Sequence, residues 1–356
     1  MTGASGTAAE AAGPTHIPGT ADPAVTVDIA VIGAGPAGLH AAYYAGFRGL
    51  TCAVIDALDQ PGGQVAALYP EKALYDVAGH LAVKGRELID NLVAQAAVFA
   101  PRYLLGHAAT TLTRRAGGGW SVGTDRGRTV HAGAVVIAVG LGRFTPRALT
   151  CALPYLGRGA AYHVPRPADH AGRDVVIVGG GDSAVDWALA LAPIARSTTL
   201  VHRRAAFRAH EHSVKQLHDA PVRVLTDAQV TACHGAERLE RVTIAHGGES
   251  AQVPAETLIA ALGFSAHLGP LADWGARLEH RAFLVDAATQ GTDLPEVYAV
   301  GDGCVRPGRV PLISVGFAEA ATAVNHAAVA LRPGSRLAPE HSSDVPPPDR
   351  TTRKGA

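Results

Sequence analysis

Val27-Asp28-Ile29-Ala30-Val31-Ile32 runs directly into Gly33-Ala34-Gly35-Pro36-Ala37-Gly38, and the reading of this stretch decides the fold. The apolar half is short and rich in β-branched residues, which predicts a buried parallel strand. G-x-G-x-x-G immediately after such a strand predicts a turn into a helix. Gly33 permits the tight turn, Gly35 lets the backbone approach a pyrophosphate, and Gly38 lets helix and strand pack closely, with Pro36 and Ala37 completing the cradle. Leu39 to Phe47 reads as a helix of small residues, and Thr51 to Asp56 as a second strand ending in an acid. The helix N-terminus then faces phosphate charge, and Asp56 is placed to accept hydrogen bonds from a ribose 2′-OH. With the βαβ context complete, the pattern predicts dinucleotide binding.

The pattern returns further along. Asp174-Val175-Val176-Ile177-Val178 is followed by Gly179-Gly180-Gly181-Asp182-Ser183-Ala184, a helix through Trp187 to Leu191, and the strand Ser197 to Val201. Ala184 in place of the third glycine is a common variant. Asp56 stands 56 − 33 = 23 positions after Gly33, and His202 stands 202 − 179 = 23 positions after Gly179. The first unit ends in an acid; the second ends in His202-Arg203-Arg204, with Arg208 close behind. A carboxylate there repels a ribose 2′-phosphate, whereas guanidinium groups pair with it through charge-assisted, often bidentate hydrogen bonds. The first cradle therefore suits FAD or NAD, and the second NADP(H). A solvated charged loop is the other reading of Arg203, Arg204 and Arg208, and their place at the ribose end of a dinucleotide unit weighs against it. Asp182 and Ser183 read as caps of the second helix, with a phosphate contact as a further role.

Ala134 to Gly142, followed by Phe144-Thr145-Pro146, and Thr257 to Phe264 read as the strands where the chain leaves and re-enters the first domain. Glu296 to Asp302 reads as a strand that delivers Asp302 at its carboxyl end, where ligands of open α/β sheets bind. Gly316 to Leu331 reads as an Ala-rich helix packing back on the first domain. The expected fold class is α/β, with two three-layer Rossmann-like domains, one inserted into the other. The expected division is a tail at 1–26, an FAD domain at 27–147 and 265–343, an NADP domain at 148–264, and a second tail at 344–356.

A hydrophobic fraction of 47% with 17% charged residues suits a folded α/β protein. Lys plus Arg and Asp plus Glu are equal at 31 each, so net charge gives no case for nucleic acid or an anionic membrane as partner. No apolar run reaches membrane-spanning length and the start lacks the pattern of a signal peptide, so a cytoplasmic location is expected. Most of the 17 histidines, the His210 and His212 pair among them, lack companions at metal-ligand spacing, and no metal site is expected. The four cysteines, Cys52, Cys151, Cys233 and Cys304, are far apart, and none sits in a C-x-x-C pair.

With these pieces in order, the sequence resembles the two-domain pyridine nucleotide flavoprotein reductases built like thioredoxin reductase, and most of all the bacterial ferredoxin (flavodoxin)–NADP reductases of that architecture. The resemblance runs from about Val27 to Ser343. It is carried by Pro61-Gly-Gly-Gln64, Ala67-Leu-Tyr-Pro-Glu-Lys72, Tyr75-Asp-Val-Ala-Gly79, Gly179 through Trp187, His202-Arg-Arg204, Phe207 through Ser213, and Gly316 through Asn325. Thioredoxin reductases carry a C-x-x-C pair just before the second glycine turn. Ala160 to Asp169 holds no cysteine here, so disulfide reduction by that route is excluded.

The resemblance implies a division of labour. Asp56 would bind the adenosine ribose of FAD, Gln64 and Tyr69 would lie near the isoalloxazine with Tyr69 stacked on it, and Ala109 would meet the adenine side through its backbone. Phe144 would line the pocket and Asp302 would bond the ribityl chain. Ser343, with His341 before it, would cover the other flavin face. An ordinary core aromatic is the alternative for Tyr69, and a frayed tail for His341. Hydride would pass from NADPH to flavin N5 without a side-chain acid or base, and single electrons would leave to ferredoxin or flavodoxin. Rotation about the Phe144–Pro146 and Leu262–Phe264 connections would gate the transfer, and the resemblance implies a homodimer. Two other functions fit the same cradles: an NADPH-dependent flavin reductase with a pathway-specific or small-molecule acceptor, and a non-catalytic FAD- and NADPH-binding redox sensor.

Overall fold

The computed structural model describes residues 24–339. Two compact units emerge. One runs up to Gly63 and takes in Ile89–Gly140 and the chain from Pro270; the other comprises Gln64–Leu88 and Leu141–Gly269.

In the first unit, β1 spans Val25–Ile32. It begins before the predicted Val27, because Val25 and Thr26 already pair with Val130 and His131. After the glycine turn comes α1 (Pro36–Phe47), then β2 (Cys52–Asp56), parallel to β1 with Val31 opposite Val54. On the other side of β1 lies β3 (Thr129–Ile137), also parallel, with Val31 opposite Val136. These strands form the middle of a seven-stranded sheet in the order Arg102–Leu105, β2, β1, β3, Trp120–Thr124, Ala109–Arg114, with Val297–Ala299 alongside the second half of β3. Central parallel strands are covered on both faces, so they read as continuous apolar runs. Ile29, Val31, Val54, Ala134 and Val136 share one core cluster with Ala41, Ala42 and Ala45 of α1.

The second unit repeats the arrangement with β4 (Asp174–Gly179), α2 (Asp182–Leu191) and β5 (Ser197–Val201), Val178 lying opposite Val201. Its parallel sheet runs Ala160–Ala161, Thr257–Ala261, β4, β5, Arg223–Leu225. Side chains alternate along a strand, and β4 sorts its residues accordingly. Val175 and Ile177 meet Ala184, Val185, Ala188 and Leu191 of α2. Val176 and Val178 meet Val230, Val242 and Ile244 of an antiparallel layer built from Ala228–His234, Arg241–His246 and Glu249–Pro254. Helix, parallel sheet and meander make three layers. Where the chain enters and leaves, Arg143–Pro146 pairs antiparallel with Phe264–His267, and the Phe144 ring meets Phe264 edge-on at 5.8 Å. Lys72 ties the segment 64–88 to α2 through Asp186 at 2.5 Å.

Back in the first unit, α3 spans Ile313–Leu331. It begins one turn before the predicted Gly316: its N-cap is Leu312, which offers no capping side chain and so no sequence signal. Ala320, Ala323, Val324, Ala327 and Ala328 join the cluster that holds α1. Small residues on both helices let the two share one face of the sheet. Among the described residues no helix is long and apolar enough to cross a membrane.

Arg48, at the C-cap of α1, clamps the segment on the C-terminal side of α3. Its Nη1 donates to Asn325 Oδ1 at 2.5 Å and to the Leu337 carbonyl at 2.9 Å, and its Nη2 donates to the Arg336 carbonyl at 2.8 Å. Replacing it by Ala is expected to cost about 1–3 kcal/mol, as hydrogen bonds from a charged donor do. Limited proteolysis should then cut the 332–339 segment faster than in the parent chain; equal rates would mean that the clamp holds nothing.

Candidate functional site

At the first glycine turn the backbone packs on itself. A Cβ on Gly33 would stand 2.5 Å from the Ala138 carbonyl oxygen, and Gly33 has φ +106°, a region that side chains disfavour. A Cβ on Gly38 would fall on the Gly33 carbonyl oxygen. Gly35, the N-cap of α1, has nothing within 4 Å of its Cβ position. The space is therefore open directly before the helix N-terminus, where Pro36 takes the first helical position and the first-turn N–H groups have no intrahelical partner. The loop after β2 folds back over the turn: the Gly62 N–H donates to the Ala34 carbonyl at 2.8 Å. Asp56, at the tip of β2, accepts from the Ala34 N–H at 2.5 Å and from the Leu58 N–H at 2.8 Å. Burial pushes its carboxyl above the usual carboxylate range, and these two N–H groups pull the other way. A carboxylate has about four acceptor sites, so two bonds leave capacity for a further donor.

The second turn matches the first in register and differs in chemistry. Ile32 lies opposite Ile55 and Val178 opposite Val201, so Asp56 and His202 occupy equivalent positions. Gly181 is the N-cap of α2, again with nothing within 4 Å of its Cβ position. Ala184 Cβ is 2.9 Å from the point a Cβ on Gly179 would reach, so alanine is tolerated because the first residue is glycine. The cap expected of Asp182 and Ser183 is corrected: Gly181 caps α2 without a side-chain bond, and Asp182 instead accepts the His210 N–H at 2.9 Å. That bond, together with the Arg208 N–H on the Gly180 carbonyl at 2.7 Å, fastens the loop after β5. His202 is buried, stacked on Phe207 at 5.2 Å, with Nε2 at 3.1 Å from the Ala206 carbonyl oxygen. Its ring fills the place a Cβ on Gly180 would take. Arg203, Arg204 and Arg208 are exposed on this fastened backbone. Among the described residues none of the three meets a carboxylate within ion-pair reach, unlike Arg196, which pairs with Asp174 at 2.7 Å and with Glu256.

The other predicted residues are scattered over both units. Gln64 lies in the short helix Gly63–Leu68 and Tyr69 just after it; both are half-buried. Ala109 is buried at the start of its strand, opposite Thr124. His341 and Ser343 lie outside the described residues. Asp302 is exposed in the 3-10 turn Gly301–Gly303, not on a strand, since pairing stops at Ala299. The left-handed Gly301, φ +68°, makes this turn, and its N–H donates to Glu319 Oε2 at 2.9 Å.

Sequence reasoning missed Glu319. It is buried in the middle of α3 and takes Arg309 Nε at 2.9 Å and Arg306 at 3.7 Å, while the Arg309 guanidinium reaches Asp302 Oδ1 at 3.4 Å. The Arg309 and Glu319 side chains are 8% and 2% exposed, so neither is satisfied by water and each depends on the other. An acid among alanines in a helix that otherwise packs against a core was the only available signal. Glu319→Ala is expected to cost about 3–5 kcal/mol by stranding Arg309, whereas Glu319→Gln retains an acceptor for the Gly301 N–H and should cost clearly less. Urea denaturation of the two variants measures the difference, and equal losses would show that the ion pair is immaterial.

Residues 27–327 match the pyridine nucleotide-disulphide oxidoreductase family. The chain is 58% identical over 319 residues to a ferredoxin–NADP reductase of Salinispora tropica, covering 89% of this chain and 98% of that one. It is 45% identical over 329 residues to a ferredoxin–NADP reductase of Thermus thermophilus, with 90% and 98% covered. A thioredoxin reductase of T. acidophilum shares the fold, with a TM-score of 0.72 at 24% identity over 85% of this chain and 98% of its own. The fold is thus thioredoxin-reductase-like, with two Rossmann-type α/β domains, and the chain has no C-x-x-C pair. The chain belongs to the ferredoxin–NADP reductases, within the pyridine nucleotide-disulphide oxidoreductase family.

Proposed function

We propose that this chain is an FAD-dependent oxidoreductase that moves electrons between NADPH and ferredoxin or flavodoxin. One observation carries the assignment of cofactors: two glycine turns in the same register, one ending in the Asp56 carboxylate and the other opening onto three exposed guanidinium groups. Open space before Gly35 and Gly181 fits a pyrophosphate at each helix N-terminus.

In this reading residues 27–147 and 265–343 form the FAD domain and 148–264 the NADP domain. Gly33, Gly35, Pro36, Ala37 and Gly38 cradle the FAD pyrophosphate, and Asp56 binds the adenosine ribose. Ala109 meets the adenine side, Gln64 and Tyr69 the ring system, Phe144 the pocket wall, and Asp302 the ribityl chain. His341 and Ser343 cover the ring from the C-terminal segment. Gly179, Gly181, Asp182, Ser183 and Ala184 cradle the NADPH pyrophosphate, while His202 supports the loop that aims Arg203, Arg204 and Arg208 at the 2′-phosphate. When bound, FAD would supply two-electron chemistry toward NADPH and one-electron chemistry toward the protein acceptor. The residues hold and orient; no side chain is needed to move a proton in the hydride step. A homodimer and a cytoplasmic location complete the reading.

Purified protein should be yellow. Stopped-flow reduction by NADPH should be much faster than by NADH, and NADPH-driven cytochrome c reduction should depend on added ferredoxin or flavodoxin. Arg203→Ala with Arg204→Ala should raise KM for NADPH at least about tenfold, the equivalent of one charge-assisted hydrogen bond, and leave NADH kinetics unchanged. Equal rates with the two nucleotides in the parent chain would refute the arginine assignment.

A further inference from the structure

Two of the four cysteines meet in space. Cys151 lies in the 3-10 turn Thr150–Tyr155 and Cys233 in the strand Ala228–His234 of the meander, 82 positions apart, yet their sulfurs are 3.7 Å apart. The Cys233 S–H is directed at Cys151 Sγ, and Cys151 Sγ lies 4.0 Å from the Val230 carbonyl oxygen. Both side chains are half-buried against the same core cluster, so neither can swing far. We propose that Cys151 and Cys233 form a peroxide-responsive modification site that closes to an intramolecular disulfide within the second unit.

The sulfurs need only close from van der Waals contact to bonding distance, about 2 Å. Selectivity follows from burial. Cys52 and Cys304 are each buried, with thiols pushed up to about 12 by desolvation, and an inert structural cysteine is the expected result. The Cys233 thiol is also held near 12, first by desolvation and then by the negative charge and hydrogen bonding of Cys151. With the Cys233 proton held in this way, Cys151 is the sulfur that reacts first.

In the first step the Cys151 sulfur attacks hydrogen peroxide as its S–H gives up the proton. An S–O bond forms, the O–O bond breaks, and hydroxide leaves and takes up a proton as water; the sulfur becomes a sulfenic acid as the peroxide accepts two electrons. The sulfenic acid then stands beside Cys233, whose sulfur lies 3.7 Å from that of Cys151. In the second step the Cys233 sulfur attacks Cys151: the S–S bond forms, the S–O bond breaks, and the hydroxyl leaves with the Cys233 proton as a second water. Two thiols and one peroxide yield one disulfide and two waters. The cross-link would enclose the second glycine turn, α2 and the arginine loop in a closed covalent loop, which restricts the unfolded chain.

The full chain, with whatever flavin it carries, is treated with hydrogen peroxide, alkylated under denaturing conditions and mapped. The four thiols present before treatment should fall to two. The intact mass should drop by about 2 Da, and one linked peptide pair should join Cys151 to Cys233, reversed by dithiothreitol. The oxidised chain should melt at a higher temperature than the reduced one. Cys151→Ser and Cys233→Ser should each abolish the linked pair and that gain. Retention of all four thiols, linkage through Cys52 or Cys304, or a mass gain of about 32 Da on Cys151 with Cys233 still free would overturn the proposal. None of these readouts depends on the cofactor assignment.

Discussion

Backbone lying directly on backbone is the constraint from which this protein's architecture stems. At the first turn the Gly38 Cα sits against the Gly33 carbonyl, and Gly33 itself sits against Ala138. No side chain fits between them, and forcing one in costs about 1–3 kcal/mol or more. That closeness sets where α1 begins, and so where the open space before its N-terminus lies. The second unit reaches the same end with alanine at Ala184, because Gly179 leaves the room that a methyl group takes. The open space before each helix N-terminus is thus a by-product of how tightly a helix is pressed onto a parallel strand.

A second constraint is the ionic knot under the Gly301–Gly303 turn. A carboxylate in the interior is tolerated only when it is paired and hydrogen-bonded. Glu319 meets that demand with Arg309, Arg306 and the Gly301 N–H, and through Arg309 it reaches Asp302. The turn that presents Asp302 is therefore anchored to α3 by charge as well as by its glycine. Cys304 packs in the same knot, its Sγ 3.7 Å from Glu319 Oε2.

What was legible in the sequence is what is local. Strand, glycine turn and helix succeed one another within a few residues, so β1, α1, β2 and their repeats could be read from periodicity, and the shared spacing of Asp56 and His202 carried over into the observed register. Family resemblance supplied the rest of the proposed site. Illegible were the partnerships made by folding: Arg48 with Leu337, and Cys151 with Cys233. Each joins positions whose separation carries no pattern. Short-range inference also failed where competition decides, as when Asp182 gave its carboxylate to the His210 N–H instead of to its own helix.

The residue at the tip of the second strand and the middle residue of the glycine turn form one unit of design. At the first turn the small Asp56 carboxylate bonds the Ala34 N–H, and a methyl group at position 34 is accommodated. At the second the bulkier His202 imidazole occupies the volume over residue 180, and only glycine leaves it room. The two positions are therefore coupled sterically: a histidine brought in at position 56 in the orientation of His202 would meet the Ala34 methyl, just as a Cβ on Gly180 would meet the His202 ring.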